Sequence, residues 1–271
     1  MTRYRSQGET PSRSIITRLR ASEAILQLGV RNARTGEIVR MASSAGYDVV
    51  WIDLEHASMS VDCAAALAAT ATDLNMGAWV RVPEREYGVI GRLLDCGATG
   101  IIVPKIETTA GARDAADACR FPPRGQRSAL SILPQYGFAR MPAAELTKRA
   151  NDDILLQVLI ESRLGVENIA EIAAVDGVDI IGIGTNDLTA DFGCPGQVRN
   201  PAILDACEKI AKAARAAGKI AVVGGVADAA HWRELLDMGF APLVFAGIDT
   251  DVIAGALEQR ADDWRKRMAN A

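Results

Sequence analysis

Eight short apolar runs recur along the chain and alternate with longer stretches of helical pattern. Each run is a continuous block of aliphatic and β-branched residues, which is typical of strands that are buried on both faces of a parallel sheet. The runs cover residues 24–29, 48–54, 77–82, 99–105, 154–161, 178–183, 219–224 and 242–246.

Ala-rich amphipathic stretches lie between most of these runs and predict helices, as in VDCAAALAATATDL and PAILDACEKIAKAARAAG. Several end in a glycine, Gly97, Gly218 or Gly239, which suits the left-handed conformation that closes a helix. Strands that alternate with helices predict a parallel sheet, and eight strands close a (β/α)8 TIM barrel. A doubly wound open sheet is the structural alternative.

Three segments depart from this repeat. Residues 1–14 are predicted to be a polar leader that can remain disordered, and residues 15–271 the catalytic barrel domain. Residues 121–153 form a long excursion between the fourth and fifth runs, and excursions of this length are usually functional loops. The last helical pattern, residues 249–268, needs a partner surface on its own barrel or on another subunit. Its apolar residues are Val252, Ile253, Leu257, Trp264 and Met268.

Length and composition narrow the class of protein. The 271 residues suit one barrel, and the hydrophobic fraction of 49% predicts a sizeable core. A net charge of −4 with interspersed signs gives no basic surface for nucleic acid. The five cysteines are scattered, which argues against disulfides and structural zinc and favours the cytoplasm. The sequence shows neither a secretory signal nor a run long enough to span a membrane.

Five of the apolar runs lead directly into a residue that can do chemistry. In a parallel barrel these positions share the carboxyl-terminal face, where active sites are built. The five residues are His56, Arg81, Glu107, Glu161 and Asp187.

Glu161 and Asp187 close consecutive predicted strands. Neighbouring strands lie about 4.8 Å apart, so the two carboxylates can share one divalent cation. Ligation by few oxygen ligands favours Mg2+ or Mn2+, which keep positions open for water and substrate. The alternative is that each carboxylate only caps the helix that follows it.

Two further residues complete the predicted chemistry. A buried Arg81 needs an anionic partner, and its planar fork suits a substrate carboxylate or an enolate oxygen. The alternative is a structural salt bridge to Glu107 or to a metal-ligand candidate. His56 is a candidate base or water-orienting group. In the segment GIGTND, residues 182–187, backbone N–H groups are candidates to hold a ligand carboxylate beside the metal.

These residues also carry a family resemblance. The motifs DxxWIDxEH, an Arg followed after 13 residues by Asp, FPPxGxR, IES, GxxxxDLT and a late GxD occur in this order. From about residue 24 to 260 the chain resembles the HpcH/HpaI aldolases, metal-dependent class II enzymes that act on 4-hydroxy-2-oxo acids derived from pyruvate.

The resemblance implies a role for each matching position. Glu161 and Asp187 would hold the metal, Mg2+ or Mn2+ with Co2+ as an alternative, and Arg81 would stabilise the enolate. Gly184, Thr185 and Asn186 would join Asp187 in binding the substrate. His56 and Asp95 would form a dyad, although Asp95 ends a helix on the face opposite His56.

Asp95 would therefore come from a neighbouring subunit. The family resemblance implies a hexamer, a trimer of dimers, with exchanged C-terminal helices. The chain departs from the common family pattern at three places: Leu159 replaces a glutamine, Thr185 replaces a proline, and residues 128–131 replace a Gly-rich segment. We expect the metal and pyruvate chemistry to be retained and substrate selectivity to differ.

The predicted function is reversible aldol cleavage to pyruvate and an aldehyde. A Schiff base on Lys105 is the weaker mechanistic option. An acyl-CoA lyase similar to citrate-lyase β or malyl-CoA lyase is the nearest enzymatic alternative, but the chain has no obvious basic cluster for the nucleotide. A non-catalytic barrel that binds oxo acids is the alternative of a different class. The aldehyde is not identified by the sequence.

Overall fold

The computed structural model describes residues 10–226 and 228–270, and its core is an eight-stranded parallel barrel. Neighbouring strands pair in the order β7-β6-β5-β4-β3-β2-β1-β8. The ring closes where the Ala241 N–H, just before β8, donates to the Ala221 carbonyl of β7 at 2.8 Å. The strands are β1 (Ile25–Val30), β2 (Val49–Asp53), β3 (Gly77–Arg81), β4 (Gly100–Val103), β5 (Leu155–Ile160), β6 (Ile180–Ile183), β7 (Ile220–Val223) and β8 (Leu243–Ile248).

Helices surround the barrel and connect successive strands. Two short 3-10 helices, Tyr87–Val89 and Pro134–Tyr136, accompany them. The α-helices are α1 (Pro11–Arg20), α2 (Glu37–Ser44), α3 (Val61–Asp73), α4 (Ile90–Asp95), α5 (Thr109–Cys119), α6 (Ala143–Asp153), α7 (Arg163–Glu167), α8 (Ile169–Ala173), α9 (Thr185–Asp191), α10 (Pro201–Ala216), α11 (Ala229–Met238) and α12 (Asp249–Ala269).

All eight predicted strands are present, and the prediction of a (β/α)8 barrel is confirmed. The apolar runs are continuous because both faces of each strand are buried, as predicted. One face points into the barrel and the other toward the layer of helices. On β5, for example, Leu156, Val158 and Ile160 pack against the helices, whereas Leu155 and Leu159 belong to the interior cluster. Burial of each such side chain stabilises the fold by roughly 1.5–3 kcal/mol.

The amino-terminal end of the barrel is closed by α1. Ile15 and Leu19 on this helix belong to the barrel-interior cluster, and the Ser12 hydroxyl donates to the Thr99 carbonyl at 3.0 Å. Residues 1–9 of the predicted leader lie outside the described residues, and α1 begins within the rest of it, at Pro11. The three glycines predicted to close helices have positive φ, as the prediction requires.

The excursion of residues 121–153 lies at the amino-terminal end of the barrel, since it leaves from the end of α5 and leads into the start of β5. It packs there against the end of α4: the Gln135 side chain donates to the Leu94 and Ala98 carbonyls. The excursion and the carboxyl ends of the strands are therefore at opposite ends of one subunit.

Helix α12 projects from the barrel rather than packing along it. Only Asp249 of its 21 residues is buried. Its N-terminus is anchored because the Asp249 carboxylate accepts the backbone N–H groups of Arg31, Asn32 and Ala33. No helix among the described residues has the length and apolar character needed to cross a membrane.

Candidate functional site

A cavity of about 550 Å³ opens at the carboxyl ends of the strands. Its lining comes from seven of the eight strands or the residues that follow them: β1, β2, β3, β5, β6, β7 and β8. Of the residues predicted to form the site, the structure brings seven to this cavity: His56, Arg81, Glu161, Gly184, Thr185, Asn186 and Asp187.

Glu161 follows β5 directly, and its carboxylate is almost fully enclosed, with 5% of the residue exposed. Its Oε2 accepts the backbone N–H of Lys105 at 2.8 Å. Burial raises the pKa of Glu161 to about 7, and the nearby negative charges of Glu55 and Asp187 add to this shift. A buried carboxylate surrounded by other carboxylates is a site that a cation would stabilise.

The space for this carboxylate exists because residue 184 is glycine. A Cβ atom built at Gly184 would overlap Oε1 and the carboxyl carbon of Glu161. The strand end of β6 and the strand end of β5 therefore approach each other closely enough for Gly184 and Glu161 to be in contact.

The capping alternatives proposed for the two carboxylates are wrong. Ser162, not Glu161, caps α7, since its hydroxyl accepts the Gly165 N–H at 3.2 Å. Asp187 lies within the first turn of α9, whose N-cap position is Gly184. Neither carboxylate is therefore the cap of the helix that follows it, which was the alternative to metal binding.

The donor set has two carboxylates and few other protein ligands. Among residues 10–226 and 228–270, no group of three or more His, Cys, Asp or Glu side chains is arranged to hold a metal ion. Glu161 and Asp187 alone leave most coordination positions to water and substrate. Such a set of oxygen ligands fits Mg2+ or Mn2+ and does not fit a closed structural zinc site.

Arg81, the last residue of β3, is held by two carboxylates. Its Nε and Nη2 donate to Asp53 at 3.0 and 2.7 Å, and its Nη1 lies 2.8 Å from Glu55 Oε2. Its guanidinium carbon lies 4.4 Å from the centroid of the Trp51 ring. Burial alone would raise the pKa of Asp53, but the Arg81 guanidinium more than offsets this and holds it below its usual value. Glu107 was the partner expected for Arg81 if this arginine formed only a structural salt bridge. Glu107 instead accepts a hydrogen bond from the Ser162 hydroxyl at 2.6 Å.

His56 lies at the mouth of the cavity, and 53% of its side chain is exposed. Its backbone N–H donates to Asp53 Oδ1 at 3.2 Å, so the same carboxylate positions both His56 and Arg81. The imidazole Nε2 lies 3.9 Å from Glu55 Oε2.

Asp95 is not brought to this cavity by its own subunit. It is the last residue of α4, at the amino-terminal end of the barrel, and binds Arg127 Nη2 at 2.7 Å. Arg127 belongs to the excursion, is buried, and stacks on Phe121 with 4.3 Å between the guanidinium carbon and the ring centroid.

Lys105 does not line the cavity with its amine. Its Nζ lies 3.2 Å from Glu84 Oε2, and 47% of its side chain is exposed. The hydrogen bond with Glu84 raises the pKa of Lys105 and so favours the charged amine over the neutral form that a Schiff base needs. What Lys105 contributes to the site is its backbone N–H, which binds Glu161.

Besides Arg31 and Asp251 of the cavity lining, sequence reasoning missed four further polar residues of the site. Asp53 and Glu55 lie in the same motif as His56, WIDLEH. They are two residues apart, and this spacing is the signal that places both side chains on one side of the strand end. Gln27 and Gln157 lie inside apolar runs. The runs alone do not show whether these two side chains point into the barrel or toward the helices.

Comparison with known proteins finds a matching protein family. The family model described as HpcH/HpaI aldolase/citrate lyase matches residues 31–254. The chain is 36% identical over 218 residues to a 4-hydroxy-4-methyl-2-oxoglutarate aldolase of Chaetomium globosum, a match that covers 79% of this chain and 80% of that protein.

Two further matches extend over most of the chain. A hydroxypyruvate/pyruvate aldolase of Roseovarius nubinhibens is 36% identical over 228 residues, which covers 82% of this chain and 86% of the relative. The solved structure of an HpcH/HpaI aldolase from Desulfitobacterium hafniense superposes with a TM-score of 0.84 at 27% identity, covering 92% of this chain and 95% of that one.

Proposed function

Because this chain belongs to the HpcH/HpaI aldolase/citrate lyase family and its curated relatives are aldolases, we propose that it is a divalent-metal-dependent 2-oxo acid aldolase. The reaction is the reversible cleavage of a 4-hydroxy-2-oxo acid to pyruvate and an aldehyde through a pyruvate enolate. One observation carries this proposal. Glu161 is buried close to the negative charges of Glu55 and Asp187, and it lines the same cavity as Asp187 and the fixed Arg81.

Glu161 and Asp187 would hold the cation, Mg2+ or Mn2+, with Co2+ as a third candidate. A bound divalent cation supplies a Lewis acid for the ketone of a 2-oxo acid. The first turn of α9 adds backbone N–H groups at Thr185 and Asn186 that have no partner within the helix, and these suit the substrate carboxylate.

Arg81 would neutralise the enolate. Asp53 and Glu55 use three of its N–H groups, and about two of the five remain for a ligand. Because the guanidinium is fixed before substrate arrives, little reorganisation accompanies the development of negative charge on the enolate oxygen.

His56 would remove the proton from the C4 hydroxyl, directly or through a water molecule. The electron pair of that O–H bond then forms the aldehyde carbonyl, and the C3–C4 bonding pair passes to the enolate. Since Asp95 of the same subunit lies at the other end of the barrel, the partner of His56 in the proposed dyad is Asp95 from a neighbouring subunit.

A homo-oligomer is therefore part of the proposed active site. The projecting α12 supports this, because Leu257, Trp264 and Met268 are 63%, 58% and 70% exposed on a helix of which, among the described residues, only Asp249 is buried. Apolar exposure on this scale is typical of an interface. We propose exchange of this helix between subunits in a hexamer, a trimer of dimers, located in the cytoplasm.

The test measures metal-dependent release of pyruvate from a panel of 4-hydroxy-2-oxo acids. We expect activity to disappear with a chelator and return with Mn2+ or Mg2+, and Glu161→Gln to weaken metal affinity at least tenfold. Glu107→Gln is the matched control, since this carboxylate also follows a strand but lies outside the cavity lining. Activity that survives chelation, or a borohydride-trapped adduct on Lys105, would refute the metal mechanism.

A further inference from the structure

A carboxylate from the start of α12 holds the turn that follows β1. Asp249 is the first residue of this helix and is 1% exposed. Its two oxygens accept the backbone N–H groups of three consecutive residues, Arg31, Asn32 and Ala33, at 2.6–3.2 Å. Successive N–H groups that converge on one anion form a nest, and removal of the carboxylate would take these hydrogen bonds from all three.

The carbonyl groups of the same turn are bound as well. Arg34 Nη1 donates to the carbonyl oxygens of Arg31 and Asn32 at 2.9 and 2.6 Å. Arg34 therefore ties the turn to itself, whereas Asp249 ties it to the end of β8. The position of the turn relative to the barrel thus depends on the Asp249 carboxylate.

An irregularity in the pairing of β1 with β8 brings the start of α12 to this turn. Gln27 of β1 pairs with Phe245 of β8. Two residues later on β1, Gly29 pairs with Ile248, which lies three residues later on β8. Gly247, within this bulge, has a φ of 112°, a backbone conformation that favours glycine. Bulges next to active sites redirect the side chains around them, and this one lies directly before α12.

Arg31 connects the turn to the carboxylate that holds Arg81. Arg31 Nε donates to Asp53 Oδ2 at 2.9 Å, and the same oxygen accepts Arg81 Nη2 at 2.7 Å. The Asp53 side chain is fully buried, and its other oxygen accepts the backbone N–H groups of Glu55 and His56. A shift of Arg31 therefore acts on Asp53, and through Asp53 on the Arg81 guanidinium.

We propose that Asp249 is a positioning residue of the active site, which acts through the turn and Arg31 on Asp53 and so sets the position of Arg81. The inference rests on the proposed function, in which Arg81 neutralises the enolate. Misplacement of a reacting group by about 1 Å can cost about 100-fold in rate, so a remote residue that controls Arg81 matters for turnover. Because Asp249 also begins α12, the projecting helix and the arginine share one support.

The first test is Asp249→Asn in the full-length protein. The carboxamide keeps the size of the side chain and one acceptor oxygen, but places an NH2 group where the other oxygen accepts hydrogen bonds. We expect kcat/KM for pyruvate release to fall about tenfold. The Mn2+ dissociation constant should be unchanged, because the proposed path reaches Arg81 without passing through Glu161 or Asp187.

The second test is a double-mutant cycle with Arg31→Met. This variant breaks the link between the turn and Asp53 but leaves Asp249 its N–H partners, and the Arg31 side chain is 30% exposed. It should show about the same tenfold loss. The double variant should also lose about tenfold rather than about 100-fold, since both changes interrupt one path. An Asp249 that only supports the fold would give losses that multiply.

Asp48→Asn is the matched control. Asp48 also accepts a backbone N–H of β1, that of Leu26 at 2.9 Å, and also binds an arginine, Arg18. It precedes β2 and so lies at the amino-terminal end of the barrel. This variant should melt below the wild type and keep a kcat/KM near that of the wild type. Crystal structures of the metal-free variants should show the turn displaced and the bond from Arg31 to Asp53 broken only in Asp249→Asn.

Near wild-type kcat/KM in a folded Asp249→Asn, losses that multiply in the double variant, or an unmoved turn would overturn the inference. If Asp249→Asn does not fold, Arg31→Met decides, and wild-type kcat/KM in that variant overturns it. The proposed function fails separately, through the absence of metal-dependent pyruvate release in the wild type. In that case the crystal structures still show whether Asp249 positions Arg31 and Asp53.

Discussion

Asp53 binds Arg81 through two parallel hydrogen bonds, from Nε to Oδ1 at 3.0 Å and from Nη2 to Oδ2 at 2.7 Å. Asp53 is fully buried, and Arg81 is almost so. The carboxylate therefore fixes both the position and the rotation of the guanidinium, which a lysine ammonium at the same place would not allow.

Arg81→Lys should accordingly lower kcat/KM by about 100-fold or more, since the charge remains and the fork geometry is lost. Arg81→Ala should do more: besides its loss of activity, it leaves Glu55 without its cation and Asp53 with Arg31 alone, and should destabilise the fold by about 3–5 kcal/mol. Steady-state kinetics and thermal unfolding measure the two effects. Arg163→Lys is the control, because Arg163 also stacks on an aromatic ring, Phe192, but is exposed. Near wild-type turnover in Arg81→Lys would contradict the assigned role.

The metal-free protein should lose stability as the pH rises. Glu161 has a folded pKa of about 7 against an ordinary value of 4.5, so between these values the folded state binds the extra proton. Stability contributed by the protonated carboxyl is full below about pH 4.5 and falls by about 3 kcal/mol as the pH passes 7. Glu161→Gln should remove this decline. Denaturant unfolding of the metal-free protein between pH 5 and 8 provides the measurement, with Glu107→Gln as control, and equal slopes in wild type and Glu161→Gln would refute it.

Charge placed on the apolar face of α12 should dissociate the oligomer. Leu257→Asp puts a carboxylate among Ile253, Trp264 and their neighbours, where a subunit contact would have to desolvate it. Light scattering coupled to gel filtration should show smaller species. Gln259→Asp adds the same charge on the opposite side of the helix and should leave the size unchanged. A wild-type protein that is monomeric at micromolar concentration would rule out exchange of this helix.

Two inactive variants should complement each other if the dyad spans subunits. His56→Ala and Asp95→Ala are each expected to be slow, since each lacks one member of every dyad. Dissociated and reassembled together, they form mixed oligomers in which some sites combine His56 of one chain with Asp95 of another. Activity should partly return. A mixture that stays as slow as its parents, with light scattering confirming mixed oligomers, would place Asp95 outside the active site.

The fold could be predicted because its strands are buried on both faces. Runs such as ILLQVLI leave little choice of structure, and the predicted and observed limits of β5 differ by a residue at each end. The strand-end residues Glu161 and Asp187 followed from the same pattern, since the carboxyl ends of parallel strands meet on one face. Position along the strand was enough to place these two side chains at the cavity.

The remaining part of the site depends on contacts that the pattern does not contain. Arg81 was expected to pair with Glu107 or a metal-ligand carboxylate as its structural alternative, whereas Asp53 on the adjacent strand is its register partner. Gln27 and Gln157 occupy inward positions that become visible only once the strands are in register. The position of residues 121–153 was also not predicted. They lie far from the cavity of their own subunit because α5 runs toward the amino-terminal end of the barrel before this segment begins.

Position 184 has no space for a side chain. Because even a methyl group would displace the Glu161 carboxylate, we expect a saturation library at this codon to return glycine alone, whatever donor acid is used for selection. Attempts to redesign the enzyme for new donors therefore have room at the walls of the barrel interior and none at Gly184, where β6 leads into α9.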